Sequence, residues 1–272
     1  MSIIWLIDAE QDFERSEELQ SAIRRHGFDC RAVKFFPESR APGDIVGAEH
    51  IPLDARVVFF GGPALMHHIQ LKRRWTPGGW CTFDNLHCAV YYCYFGKYLL
   101  NEQYTLLPAI EAARQALRIF DQYAADGKVF VRPAIARKVF NGSCFDIERF
   151  RSSLTQRIDP REQVVVSAPK PIGREWRVFV AHDKVITGSQ YANLGRAERS
   201  SEFPDEVRAF AQNILKEQRW RPDPLFTLDI CESSGQLAVV EINGFSCSNP
   251  YHADLDAIIN AVENVSQSAL AS

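Results

Sequence analysis

What this sequence lacks narrows it first. No apolar run approaches the roughly 20 residues that cross a bilayer, the longest reaching only from Cys88 to Phe95. A membrane span is therefore not expected. Basic residues are not in surplus: 31 Lys and Arg stand against 34 Asp and Glu, a net charge of -3 with a pI near 6.2. General binding to nucleic acid or to an anionic membrane needs a cationic excess, and Lys72-Arg73-Arg74 is too short to supply one. The cysteines, at 30, 81, 88, 93, 144, 231 and 247, are odd in number and have no paired spacing. That suits reduced thiols better than a disulfide framework. Internal repeats and low-complexity tracts are absent as well. The opening MSIIWLIDAEQD has no positive leader, and its apolar stretch runs straight into acids. It reads as a first strand and not as a signal peptide, with the cytoplasm the expected compartment.

What is present is ordinary in composition, 46% hydrophobic and 24% charged over 272 residues, enough for a soluble globular chain of about two domains. Ile3 to Ile7, Ser16 to His26 and Cys30 to Phe36 form a β-α-β pattern. Ala55 to Phe60 adds a third apolar strand ending at Gly61-Gly62-Pro63. Such a glycine pair at the carboxyl end of a buried parallel strand either makes room for a ligand or is a plain tight turn. Met66 to Tyr104 is dense in aromatics and reads as connector and secondary core. Leu106 to Ala125 reads as a helix with Pro108 in its first turn and Ile110, Ala113, Leu117 and Phe120 on one stripe. A boundary near residue 105 divides 1–105, an α/β unit with connector, from 106–272, an α+β unit. In the second unit, strands are expected at Val129 to Val131 and Val164 to Val166, with a hairpin over Trp176 to Tyr191. Helices are expected over Pro204 to Gln218 and Asp254 to Val265, and a hairpin turns at Ser233-Ser234-Gly235 between Phe226–Cys231 and Leu237–Ile242.

The last hairpin carries the chemistry, and strand parity exposes it. Phe226, Leu228 and Ile230 share one face and Asp229 takes the other, while Val240 and Ile242 oppose Glu241 and Asn243. Burying both apolar faces together leaves only registers that bring Asp229, Glu241 and Asn243 to the same side. Two carboxylates and a carboxamide, with no Lys or Arg beside them on either strand, suit Mg²⁺, which prefers all-oxygen ligands. A solvated outer face of an edge hairpin is the alternative. Upstream, Glu175 and Arg177 share one strand face, Trp176, Val178 and Val180 the other. A planar guanidinium such as that of Arg177 is a natural phosphate partner. Arg132 and Lys138 bracket a loop, and Ser167-Ala168-Pro169-Lys170-Pro171 is an extended hinge that cannot be helical.

In this order the segments VFVRPAIARKVFNG, VVVSAPKPIGREWRVFVAHDKVITGSQY and TLDICESSGQLAVVEINGF resemble the ATP-grasp fold, within it the clade marked by an arginine and two lysines. The resemblance implies a Rossmann-like pre-ATP-grasp α/β domain followed by an α+β ATP-grasp fold of two subdomains. It implies ATP and one or two Mg²⁺ ions as cofactors. Asp229, Glu241 and Asn243 would be the metal ligands, and Arg132, Lys138, Lys170, Glu175 and Arg177 would contact the nucleotide, Arg177 and Lys138 catalytically. Gly61, Gly62, Ser246, Ser248, Asn249 and Tyr251 are candidate contacts for the acceptor. Two departures stand out: the loop between Lys138 and Cys144 has no long glycine-rich run, and VRP replaces a common lysine.

The implied activity is an ADP-forming carboxylate-amine ligase that makes an amide or peptide bond through an acyl phosphate. Its partners would be ATP, a small-molecule or peptide carboxylate and an amine. A phosphotransferase acting on a hydroxyl and a non-catalytic nucleotide-binding module are the alternatives. No protein nucleophile is needed, so Cys247 in GFSCSNPY reads as incidental. Cys81, His87, Cys88 and Cys93, with His67 and His68, lack zinc-knuckle spacing and read as core thiols.

Overall fold

A computed structural model describes residues 3–11, 13–36, 45–72, 75–137 and 139–268. Three sheets follow one another along the chain. The first has strand order β3-β2-β1-β4-β5. In it β1 (Ile4–Asp8), α1 (Ser16–Arg25), β2 (Asp29–Phe35), β3 (Ile45–Val46), β4 (Arg56–Phe60), α2 (Pro63–Lys72) and β5 (Thr76–Gly78) succeed one another. The pairings are parallel except for the short edge strand β3. Both faces are buried, as parallel sheets require. Leu6, Val57 and Phe59 pack toward α2, while Trp5, Ile7, Val58 and Phe60 pack toward α1 and the C-terminal helix.

The aromatic segment is more than a connector. Within it, α3 (Cys88–Phe95) carries no charged residue and buries one face, leaving Ala89, Cys93 and Tyr94 exposed on the other. Cys88, Tyr91, Tyr92 and Phe95 join the largest apolar cluster, and Tyr94 stacks on Trp220 at 4.5 Å.

The second sheet, in order β6-β9-β7-β8, is antiparallel. It comprises β6 (Tyr104–Pro108), β7 (Val129–Pro133), β8 (Ser143–Phe145) and β9 (Gln163–Ser167), with α4 (Ala109–Arg114), α5 (Ala116–Tyr123) and α6 (Ile147–Gln156) packed on it. This corrects the single helix expected from Leu106. Tyr104 to Pro108 pair with β9 as a strand, Pro108 precedes α4, and the helix breaks at Gln115. The expected stripe holds only in half: Ala113 and Phe120 pack inward, but Ile110 is 48% and Leu117 70% exposed. Small residues (Ala109, Ala112, Ala113, Ala116) form the buried face, because close helix packing favours volume over hydrophobicity here.

The third sheet has order β12-β11-β10-β13-β14 and is antiparallel throughout. Its strands are β10 (Arg174–Ala181), β11 (Lys184–Asn193), β12 (Arg196–Ser200), β13 (Leu225–Ser233) and β14 (Gln236–Gly244), flanked by α7 (Asp205–Glu217) and α8 (Leu255–Ser268). Trp176, Val178, Val180, Phe226, Leu228 and Ile230 meet α7 on one face. The opposite face changes character along its length: Phe179, Ala181 and Leu225 meet α8, whereas Glu175, Arg177 and Asp229 occupy the other end. The β13-β14 turn places Ser234 and Gly235 at φ 51° and 78°, a conformation that glycine accepts readily and that matches strand twist. No described helix is long and apolar enough to cross a membrane.

Candidate functional site at the junction of three strands

Register explains how the polar cluster forms. Asp229 lies between Arg177 on β10 and Glu241 on β14, its direct cross-strand partners, so the three side chains stand in one row. Asn243 follows two residues beyond Glu241 on the same face. The hairpin contains a feature that the alternation does not reveal, since pairing jumps from Asp229↔Glu241 to Ile230↔Val239. Val240 is the extra residue of a bulge, which rotates Val239 into the core in its place.

Both carboxylates meet arginines, although, as expected, neither strand of the hairpin carries one beside them. The cations come from β10 of the same sheet and β7 of the second sheet, and not from the hairpin itself. Arg177 forks onto Asp229, with Nε to Oδ1 at 2.8 Å and a terminal nitrogen to Oδ2 at 2.7 Å. Asp229 is 1% and Arg177 6% exposed. Burial opposes the charge on Arg177, but Asp229 beside it prevails and holds its pKa above the ordinary value. Arg132, on β7 of the second sheet, crosses to Glu241 Oε2 at 2.7 Å and to the carbonyl of the bulge residue Val240 at 3.1 Å. Asn243 Nδ2 donates to Asp229 Oδ2 at 3.2 Å and to Glu241 Oε1 at 2.9 Å. A donor nitrogen between two carboxylates marks the point on which their oxygens converge.

Around this row lie Glu175 and two tyrosines. Burial raises the Glu175 pKa, and the hydroxyl of Tyr191, donating at 2.8 Å, pulls it back. The Tyr191 and Tyr251 rings stack with centroids 5.2 Å apart, and the Arg177 guanidinium lies 5.6 and 5.2 Å from them. Tyr251 adopts φ 46°, a left-handed conformation rare for an aromatic residue. Its N–H bonds Asn249 Oδ1 at 3.0 Å, and its carbonyl accepts from Arg15 at 3.2 Å.

Two cavities flank the cluster. One, about 230 Å³, lies between the second and third sheets against Phe130, Arg132, Gly142, Glu175, Tyr191 and Glu241. The other, about 270 Å³, faces the carboxyl ends of β1 and β4 and includes Gln11, Phe13, Pro63, Arg177, Asn249 and Tyr251. Asn243 and Ala136 line both.

The structure thus brings Arg132, Glu175, Arg177, Asp229, Glu241 and Asn243 together, with Asn249 and Tyr251 on the second cavity. Lys170 is exposed on the non-helical stretch after β9 and lines neither cavity. Lys138 lies outside the described residues, and the next strand starts only at Ser143. Four residues expected near an acceptor serve packing instead. Ser246 is fully buried, its hydroxyl accepting from Trp80 N–H at 2.9 Å, and buried Ser248 bonds the Gly244 carbonyl at 2.8 Å. Gly61 donates to the Ser246 carbonyl at 2.8 Å, and a Cβ there would fall 2.1 Å from that of Asp8. Gly62 donates to Asp8 Oδ2 at 3.0 Å. Tyr191, Gln11 and Phe13 escaped the sequence reading. Tyr191 is the extra residue of a bulge, where pairing jumps from Glu175↔Ala192 to Trp176↔Gln190, and strand alternation carries no sign of it.

The third family of the ATP-grasp clade marked by an arginine and two lysines matches residues 72–262, and the chain belongs to this ATP-grasp domain family. No curated protein sequence matches. Among solved structures, the fold is similar to D-alanyl-alanine synthetase A from Vibrio cholerae, at 14% identity and TM-score 0.61 over 98% of each chain. It is also similar to the ATP-grasp ligase PsnB complexed with a minimal precursor, at 14% identity and TM-score 0.57, covering 97% of this chain and 99% of that one. D-cycloserine synthetase DcsG matches at 10% identity and TM-score 0.61, covering 97% and 100%. At such identities the likeness establishes the ATP-grasp fold.

The donor chemistry fits a magnesium ion. Asp229 and Glu241 turn carboxylate oxygens to the point where the Asn243 amide nitrogen now donates, and rotation of that amide would offer its oxygen there instead. Among the described residues no cluster of three His, Cys, Asp or Glu is placed to hold a metal ion, and this site has two carboxylates with a carboxamide as the third group.

Proposed function

We propose that the chain is an ATP- and Mg²⁺-dependent ligase joining a carboxylate to an amine with release of ADP and phosphate. The observation that carries this reading is that Asn243, within the acidic row, borders both cavities at once. A triphosphate in the first cavity would present its terminal phosphate to an acceptor in the second. Residues 1–105 act as the pre-ATP-grasp domain in this reading, and 106–272 as the grasp of two subdomains.

In the first step a carboxylate oxygen attacks the γ-phosphorus and the bond to the β-phosphate oxygen breaks, leaving an acyl phosphate and ADP. An amine then attacks the acyl carbon, phosphate leaves, and the amine loses a proton. The protein forms no covalent bond. Its task is to position the reactants and neutralise charge. Asp229, Glu241 and Asn243 would hold Mg²⁺, which supplies charge neutralisation when bound. Arg177 and Arg132, already aimed at the row, would carry phosphate oxygens, and Lys138 and Lys170 are further candidates for the nucleotide.

Hydroxylamine traps an acyl phosphate as a hydroxamate, so a panel of carboxylic acids incubated with ATP, Mg²⁺ and hydroxylamine tests the reading. Hydroxamate and ADP should form together with at least one acid. Glu241→Gln, which keeps the side-chain volume, should abolish both products while the folded content stays intact. A stable phosphorylated alcohol, or unchanged ATP throughout, would reject ligation.

A further inference from the structure

The second cavity has a chemical character of its own. Arg177, Asn243 and Asn249 meet at one end of it, and Gln11 lies by the Gly62-Pro63 turn. Two Arg177 nitrogens are committed to Asp229 at 2.7 and 2.8 Å, while the third reaches the Asn249 carbonyl only at 3.4 Å. The loosely held donor is therefore on the side of this cavity. Arg177 is the single charged side chain among its described lining residues.

Apart from Gln11, the remainder is lined mainly by apolar groups, several of them held by ring contacts. Phe13 packs edge-on to Phe60 at 5.3 Å, and Phe60 in turn meets Phe245 at 5.4 Å. Phe83 is buried edge-on to His67 at 5.7 Å, and Cys81 is pressed so closely to Gly244 that a Cβ there would lie 2.5 Å from its sulfur. Walls fixed by ring contacts offer an apolar surface without a large ordering cost on binding.

We infer that this cavity selects a monocarboxylic acid with an aromatic or branched apolar body, its carboxylate at Arg177 and its body against Phe13 and Phe83. A second carboxylate would be buried among rings without a cation, and a small acid such as glycine would leave the apolar wall unfilled. The inference deepens the ligase reading by naming the acceptor class, and rests on it only for the fate of the bound acid.

Half-buried Cys247 lines the cavity and reports on its occupancy, while exposed Cys93 lies on α3 as an internal control. The full chain is treated with iodoacetamide and each cysteine's alkylation is followed by mass spectrometry. Measurements use 3-phenylpropionate, 4-methylpentanoate, glutarate or glycine, each with and without Mg²⁺ and a non-hydrolysable ATP analogue. The first two acids should slow Cys247 alkylation at least tenfold without altering Cys93, whereas glutarate and glycine should change neither. Phe13→Ala should remove most of that protection while the heat of analogue binding, measured separately, is unchanged. Protection by glutarate equal to that by 3-phenylpropionate, or by none of the acids, overturns the inference. If the analogue itself produces no heat, the nucleotide reading fails instead, and the series without nucleotide still decides the acid class.

Discussion

The two arginine-carboxylate pairs of the site share a chemistry and differ in construction. Arg177 and Asp229 are neighbours within one sheet, joined by two parallel bonds and shut away from water. Arg132 and Glu241 belong to different sheets, share a single bond, and keep 14% and 16% of their side chains exposed. The first pair is part of the sheet's interior and the second is a clasp across the cleft. A pair within a sheet cannot part without disturbing the ladder, whereas a clasp between sheets can open when something enters. Structural cost should therefore concentrate on Arg177, and parting of the ion pair on ligand entry should fall to Arg132.

Breaking the buried pair tests this most severely. Arg177→Ala leaves Asp229 ionised and desolvated, with the neutral Asn243 amide where a cation had been, a loss of about 3–5 kcal/mol. Urea unfolding at pH 7 measures it. Arg177→Lys returns a charge without the fork and should recover less than half of the loss. A lysine variant as stable as the native chain would mean that the fork geometry contributes nothing.

The legibility of these pairs from sequence was uneven, for physical reasons. A period of two places Asp229, Glu241 and Asn243 on one side of a hairpin without any structure, and the hairpin register obeys that parity up to Asp229. Parity within β10 likewise pairs Glu175 with Arg177, but which strand β10 adjoins is a matter of topology. Only the fold brings Arg177 opposite Asp229. The bulge at Val240 leaves no trace in alternation, and the reach of Arg132 spans 109 positions of sequence. The segment around Pro108 failed differently. Ile110 and Leu117 extend a helical stripe with Ala113 and Phe120 yet face outward, while the other alanines that pack are weak hydrophobic signals. Ser246 and Ser248, in a loop rich in small polar residues, look like ligand contacts, yet their hydroxyls satisfy buried backbone.

The clasp should yield more cheaply. Arg132→Gln leaves Glu241 able to find water, so the stability loss is about 1–2 kcal/mol. Its larger consequence is electrostatic. With this guanidinium gone, the acidic row loses one of the two arginines that meet it, and a free divalent ion should bind better without nucleotide. Paramagnetic resonance of Mn²⁺ titrations should show about tenfold tighter binding to Arg132→Gln than to the native chain, equivalent to about 1.4 kcal/mol. Glu241→Gln should bind the ion more weakly than either. Unchanged Mn²⁺ affinity in Arg132→Gln would mean that Arg132 does not compete for the row.

Asp223 supplies the contrast that both pairs lack, a largely buried carboxylate held by neutral donors. Its oxygens accept from Thr82 N–H at 2.8 Å and from the Thr82 hydroxyl at 2.7 Å. Burial raises its pKa from 3.8 to about 6, and these two bonds offset only part of that. The folded chain thus binds this proton more tightly than the unfolded chain does. The stabilisation is fully present below pH 3.8 and is lost as pH rises to about 6. Asp223→Asn can keep both Thr82 contacts, with its oxygen accepting and its nitrogen donating to the hydroxyl, and cannot titrate. Relative to the native chain it should gain about 1 kcal/mol between about pH 4 and pH 6.5, after allowance for partial exposure to solvent. Urea midpoints at the two pH values measure the difference. Parallel pH slopes in the two proteins would show that two neutral hydrogen bonds offset burial as well as a guanidinium does. The arginines at Asp229 and Glu241 would then owe their presence to what the site binds and not to the desolvation of its acids.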